Sequence, residues 1–162
     1  MVKPTFYIRS SYRHTDFVQT LKLEQLMIQS KGYAASTATS PLAPVDFDRR
    51  EPGSQDLVLE LLYCGVCHSD IHYARNEWGS SRFPIVPGHE MVGRVTRVGD
   101  QVSHFKVGDL AGVGCIIDSC RTCTPCEDNE EHYCQKGVTM SYGSKERKDS
   151  NVISQGGYST NY

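Results

Sequence analysis

The sequence predicts a mostly β, barrel-like fold with few helices. Short runs of alternating apolar and polar residues recur through the middle of the chain, and glycine and proline punctuate them at close intervals. A length of 162 residues suffices for one sizeable core, or for one domain with loose ends. Residues 1–26 mix aromatic, basic and polar side chains without a sustained period, apart from a short helical pattern at Phe17, Leu21, Leu23 and Leu26. They are expected to form a poorly ordered extension. Met27 would serve as an internal start, with Ile28 to Ser36 as a first strand. Pro52 and Gly53 mark 48–55 as a turn. Residues Leu57 to Cys64 alternate with period 2 and predict a strand. A second β-rich stretch, Met91 to Val98, ends at the turn-forming pair Gly99-Asp100, and Val107 to Val113 follows, broken by Gly108-Asp109 and Gly112. The polar tail from Gly143, with Lys145, Glu146, Arg147, Lys148 and Asp149, reads as a surface loop. No internal repeat or low-complexity block occurs.

Composition narrows the function classes. A net charge of −2 offers no broad basic surface for nucleic acid or an anionic membrane. No run approaches the roughly 20 apolar residues that span a bilayer. The N-terminus lacks the apolar core and small-residue cleavage site of a secretory signal. Seven cysteines, an odd number without an export signal, fit a reducing compartment in which clustered thiols serve metals more often than disulfides. A cytoplasmic location is expected.

The strongest chemical signal is Cys120, Cys123, Cys126 and Cys134. Successive C-x-x-C spacings let a tight turn aim several sulfurs at one point, and a later cysteine closes a tetrahedral Zn–S shell. Four thiolates leave no open position, so such a zinc is structural. An iron–sulfur cluster and disulfides are the alternatives; the ferredoxin-like fourth spacing with its following proline is absent, and the compartment disfavours disulfides. The acidic loop Glu127, Asp128, Glu130 and Glu131 reads as a solvated face. A second signal is split between Gly65-Val66-Cys67-His68-Ser69-Asp70-Ile71-His72, after the Leu57 strand, and Pro87-Gly88-His89-Glu90, before the Met91 strand. A thiolate and an imidazole delivered from neighbouring strand ends suit a catalytic zinc. A lone cysteine or histidine is more often structural, but a cysteine, a serine, an aspartate and two histidines within six residues weaken that alternative.

The stretch from Gly88 to Val102, GHEMVGRVTRVGDQV, resembles the zinc alcohol dehydrogenase signature of the medium-chain dehydrogenase/reductase superfamily. With the 67–72 segment and the four cysteines in the expected order, the chain from about Met27 to Tyr162 most resembles the cinnamyl-alcohol-dehydrogenase-like branch, which includes bacterial NADP-dependent aldehyde reductases. The resemblance implies a GroES-like barrel catalytic domain at 27–162. It implies that Cys67 and His89 are two of three protein ligands of a catalytic zinc, with Glu90 an acidic neighbour of that metal. Asp70 would orient the ligand histidine. Ser69 and His72 would relay the alcohol proton to solvent, an imidazole being suited because it titrates near neutrality. His68 would lie near the cofactor phosphates. Trp78 either lines the substrate pocket or is a buried core tryptophan. Cys64 and Cys115 match no ligand position and are expected to be small buried side chains. The implied reaction is zinc-assisted hydride transfer between a small or aromatic alcohol, or its aldehyde, and a nicotinamide, NADP by branch.

The chain departs from the family in two respects. The 28 residues after Cys134 contain no cysteine, and the family's third catalytic-zinc ligand comes later. Unless Glu90 or a partner chain completes the shell, that metal should bind weakly. The nearest glycine fingerprint, Gly112-Val113-Gly114-Cys115, lacks its third glycine and runs into the cysteine cluster, so a Rossmann domain is expected to be absent. The chain therefore reads as truncated at its C-terminal edge, inside a strand beginning at Gly156-Gly157-Tyr158, with self-association through uncovered apolar surface expected. Three readings follow: a family enzyme completed by a missing half, a non-catalytic zinc-binding fragment, and a thiol-based metal or redox module. The third leaves the 88–102 signature unexplained.

Overall fold

β1 (Met27–Ala34) and β2 (Ala43–Arg50) form an antiparallel hairpin in a computed structural model that describes residues 27–162. The extension expected over 1–26, with its short helical pattern, lies outside the described residues. In β2, half-buried Val45 and Phe47 alternate with exposed Asp46 and Asp48, and pairing continues to Arg50 opposite Met27. The expected 48–55 turn therefore starts later: 48–50 are strand, and the chain reverses around Pro52-Gly53, where the Asp56 N–H reaches the Gly53 carbonyl at 3.1 Å.

Two expected strands appear with the bounds read from the sequence, β3 (Leu57–Cys64) and β4 (Met91–Val98). They pair antiparallel, and β4 pairs in turn with the shorter β5 (Leu110–Val113). Leu59, Val95 and Ala111 face one another as a buried cluster, with Leu57, Leu61, Val98 and Val113 packed around it. Burying each such aliphatic side chain contributes about 1.5–3 kcal/mol. A one-residue slip would turn the whole set to solvent, so the cluster fixes the register.

The segment 158–162 closes the sheet system. Tyr33 N–H donates to the Tyr158 carbonyl (2.9 Å) and Thr160 N–H to the Lys31 carbonyl (2.8 Å), on the β1 side. Leu61 N–H donates to Thr160 (3.0 Å), and Leu59 and Tyr162 exchange bonds of 2.7 and 2.9 Å, on the β3 side. The tail is thus only partly the surface loop that its polarity suggests: 145–151 is largely exposed, but Ser154, Gly156 and Gly157 are buried. The Arg49 guanidinium helps to hold it, donating to the carbonyls of Gln155 and Gly156 (2.9 Å each) and lying over the rings of Phe47 and Tyr162. Burial lowers the Arg49 pKa to about 10, so it stays a cation at neutral pH. The charged loop is tied down by Arg50, which bonds Asp56 (2.6 Å) and Glu146 (2.8 Å), and by Lys148 on Asp56 (2.8 Å).

A small lobe projects from the barrel. β6 (Ile116–Asp118) pairs with β7 (Thr139–Met140), and between them lie the one-turn helix α2 (Thr124–Glu127) and a 3₁₀ turn at Glu131–Tyr133. The other helix among the described residues, α1 (His68–Ala74), follows β3 after a three-residue link. Every strand pairing among the described residues is antiparallel, so none of them builds a βαβ nucleotide-binding unit. No helix among them is long and apolar enough to cross a membrane. The architecture is mostly β with few helices, without a Rossmann portion in these residues.

Candidate functional site

The lobe brings the sulfurs of Cys120, Cys123, Cys126 and Cys134 within 4.8 Å of one another. Cys123 precedes α2 as its N-cap and Cys126 lies one turn later, while the 3₁₀ turn returns the chain to Cys134. The Cys123–Cys126 sulfurs are 3.5 Å apart and the Cys120–Cys126 sulfurs 3.9 Å. A tetrahedral shell with Zn–S bonds of about 2.3 Å spaces its sulfurs by about 3.8 Å, so the donor set fits one zinc ion. All seven cysteines are free thiols. The Cys120 thiol is drawn well below its usual pKa, first by the backbone N–H of Thr122 and then by neighbouring thiols. That favours the thiolate a metal requires. Three of the four cysteines are buried and Cys120 is half-buried, so the set is closed to substrate.

The second set is assembled from two segments. Cys67 is the N-cap of α1, and His89 and Glu90 end the loop into β4; the Cys67 sulfur, a His89 ring nitrogen and a Glu90 oxygen lie within 4.8 Å of one another. Here one side stays open, since Glu90 is exposed and Cys67 half-buried while His89 is buried. Thiolate, imidazole and carboxylate are an acceptable zinc donor set, and three protein ligands leave a position for substrate. Gly65 makes room for Glu90: a Cβ there would lie 2.2 Å from the Glu90 carboxylate.

Asp70 joins the two segments. Its Oδ2 accepts the Cys67 N–H at 3.0 Å, capping α1, while Oδ1 accepts the Gly88 N–H at 3.0 Å and faces His89 Nδ1 at 3.2 Å. Tyr142 donates its hydroxyl to Oδ1 (2.8 Å) and Tyr158 donates to Oδ2 (2.9 Å). Burial pushes the Asp70 pKa up, but these donors outweigh it and hold the group below the usual carboxylate range. An ionised Asp70 fixes the proton of His89 on Nδ1 and leaves the Nε2 lone pair for a metal. Burial and the Asp70 charge push both phenols above their ordinary pKa, so they remain donors. Sequence reasoning missed both tyrosines. They lie 72 and 88 residues from Asp70 in polar segments with no local pattern to mark them.

The other expected residues lie along α1. Ser69 Oγ is 3.6 Å from the Cys67 sulfur. His72 bonds Glu77 through Nδ1, and its ring lies between those of His68 (4.6 Å) and Trp78 (4.7 Å), tilted to both. No hydrogen bond joins Ser69 directly to His72 among the described contacts, although they are one helical turn apart. His68 is exposed. Trp78 is 53% exposed and edge-on to Tyr73, so the buried-core alternative does not hold. Cys115 is exposed too, against the expectation of burial, and Cys64 is half-buried beneath the Gly88 turn. One cavity of about 320 Å³ lies at the far side of the barrel near Arg49 and Tyr162, away from these ligands. A wider one of about 680 Å³ reaches Cys64 and Tyr158.

The alcohol dehydrogenase GroES-like domain family matches residues 53–161. The chain is 50% identical over 131 residues to a probable mannitol dehydrogenase of Fragaria ananassa, covering 81% of this chain and 36% of that protein. It is 52% identical over 129 residues to the aldehyde reductase YahK of Escherichia coli, covering 80% and 36% respectively. Among solved structures it is similar to CAD from Helicobacter pylori complexed with NADP(H), with a TM-score of 0.81 and 41% identity over 85% of this chain and 39% of that one. The chain thus spans little more than a third of the length of these relatives.

Proposed function

The chain belongs to the alcohol dehydrogenase GroES-like domain family, and from that premise we propose that it is the zinc-binding catalytic portion of an NADP-dependent alcohol dehydrogenase or aldehyde reductase. The observation that carries the reading is the convergence of Cys67, His89 and Glu90 within 4.8 Å, with Asp70 behind the imidazole. These residues would hold a catalytic zinc, and the four cysteines a structural one. When bound, the catalytic ion supplies Lewis acidity toward an alcohol or carbonyl oxygen. The chain's own residues do the rest. Asp70 holds the ring of His89 in place through Nδ1. The Ser69 hydroxyl, beside Cys67, receives the proton of an incoming alcohol, and His72 passes it to solvent with Glu77 as its partner. For the proton to pass from Ser69 to His72, a water or a ligand hydroxyl would have to bridge them. His68 lies on the exposed side, where it would meet cofactor phosphates, and Trp78 forms an apolar wall for an alcohol or aldehyde. With three ligands here and no nucleotide-binding unit in the described residues, the chain alone is expected to hold its second zinc loosely and to show no turnover. The test is a chimera in which residues 27–162 replace the matching portion of the E. coli aldehyde reductase. NADPH-dependent aldehyde reduction that Cys67→Ser abolishes is the expected result. A folded, zinc-loaded chimera without turnover would contradict the reading.

A further inference from the structure

We propose that Tyr142 and Tyr158 are positioning residues for the Cys67–His89–Glu90 site, their hydroxyls gripping the two oxygens of Asp70 and thereby fixing the ring of His89. The proposal rests on the reading of that site as a metal centre. Asp70 is 3% exposed and takes five donors on two oxygens: Gly88 N–H, Tyr142 and His89 on Oδ1, Cys67 N–H and Tyr158 on Oδ2. A carboxylate offers about four lone-pair directions, so the oxygens are saturated and the group is immobilised. The backbone donors sit on the ligand segments themselves and would move with them. The tyrosines are different, because they reach Asp70 from rigid elements elsewhere.

Tyr142 lies two residues beyond β7, on the stretch that leaves the four-cysteine lobe, and Ser141 N–H anchors that stretch to the Cys115 carbonyl at 2.8 Å. Its ring is buried against Ile85 and Ala35 and meets Tyr73 edge-on at 5.1 Å, so it has no second place to go. Tyr158 belongs to the segment between β1 and β3. It is strapped to the ligand loop by Gly157 N–H to Gly88 (2.9 Å) and by its own N–H to Pro87 (3.0 Å). Gly88 has φ +101, and a Cβ there would meet Tyr158 Cδ1 and the Cys64 sulfur at 2.8 Å each, so only glycine admits the ring this close.

The opposite reading is that Tyr142 competes with His89 for Oδ1, since the His89 contact is the longest of the three on that oxygen. The two readings differ in sign. The test uses the full chain with Tyr142→Phe and Tyr158→Phe, each keeping its ring. In metal-free protein, the His89 Nδ1–H proton is followed by NMR; a slowly exchanging signal should exchange at least about tenfold faster in either variant. In a Co²⁺ titration read by its visible spectrum, affinity at the open site should fall roughly tenfold, the low end for outer-shell partners. The thiolate-rich cobalt spectrum of the four-cysteine site should stay unchanged and serves as the control for folding. If Tyr142→Phe loosens the lobe, Tyr158→Phe, acting on the other oxygen from another element, decides. Unchanged exchange and affinity in both variants would overturn the proposal, as would tighter cobalt binding in Tyr142→Phe. A wild-type chain that takes up cobalt only at the four cysteines would overturn the reading of the site itself. Two bound cobalts with indifferent variants would sink the clamp alone.

Discussion

The four-cysteine lobe and the Cys67–His89–Glu90 site both draw their donors within 4.8 Å, but they do so by opposite routes. The lobe takes all its ligands from 15 consecutive residues, between two short strands. Little else holds that excursion together: the buried apolar cluster there consists of the cysteines themselves, with Val138 beside them. The open site takes ligands from two segments about 20 residues apart, and a single carboxylate positions both. Its geometry is supplied by the barrel, through β3, β4 and the 158–162 segment. In the lobe the metal would make the structure; at the open site the structure makes the metal position. On the proposed reading a structural ion would belong to the first and an exchangeable, reactive one to the second.

That contrast can be broken in stages. The largest effect should come from Cys126→Ser. Structural zinc sites draw on the order of 10 kcal/mol from the metal, so the lobe should unfold and its amides over 116–140 lose hydrogen-exchange protection, while β3 and β4 stay protected. Equal loss in both regions would erase the distinction. Asp70→Asn comes next, because it leaves buried donors facing an amide that cannot accept them all. A destabilisation of about 2–4 kcal/mol in denaturant melts is expected, with open-site metal affinity down roughly 10–100-fold and the lobe's metal retained. Gly88→Ala should cost about 1–3 kcal/mol, from its positive φ and its clash with Tyr158, and should weaken the open site only.

The smallest effect is a pH dependence remote from both sites. Partial burial pushes Asp56 up, but Lys148, the Gly53 N–H and Arg50 prevail and hold it at about 2. With the folded pKa below the unfolded one, its contribution is fully present above the ordinary aspartate value near 4. That contribution is lost as pH falls through about 2. The melting temperature of wild type relative to Asp56→Asn should therefore converge between pH 4 and 2. A constant difference across that window would remove Asp56 from the account.

Legibility in the sequence follows the same division. The cysteine cluster could be read directly, since its spacing is local. β3 and β4 could also be read to the residue: in β4 alternate side chains are buried, and in β3 an apolar run bounded by turn residues marks the strand although bulges interrupt its alternation. β2 was hidden by Pro44 and by aspartates on its solvent face, which resemble turn composition although Val45 and Phe47 point inward. The polar composition of the tail misleads for a different reason. Its burial depends on backbone hydrogen bonds and on glycines that admit close approach, such as Gly157, where a Cβ would lie 2.2 Å from Met91 Cγ. Neither leaves an apolar period. Cys67, His89 and Asp70 stand out by the density of chemistry-bearing residues around them and take their roles from the resemblance, while Tyr142 and Tyr158, which complete the carboxylate's environment, carry no signal outside three dimensions.

The most direct test of this two-site account is native mass spectrometry of the zinc-saturated chain before and after dialysis against a mild chelator. Two zinc ions should bind, one should leave, and Glu90→Gln should abolish only the one that leaves. Two ions lost together, or a Glu90→Gln chain that still binds both, would contradict it.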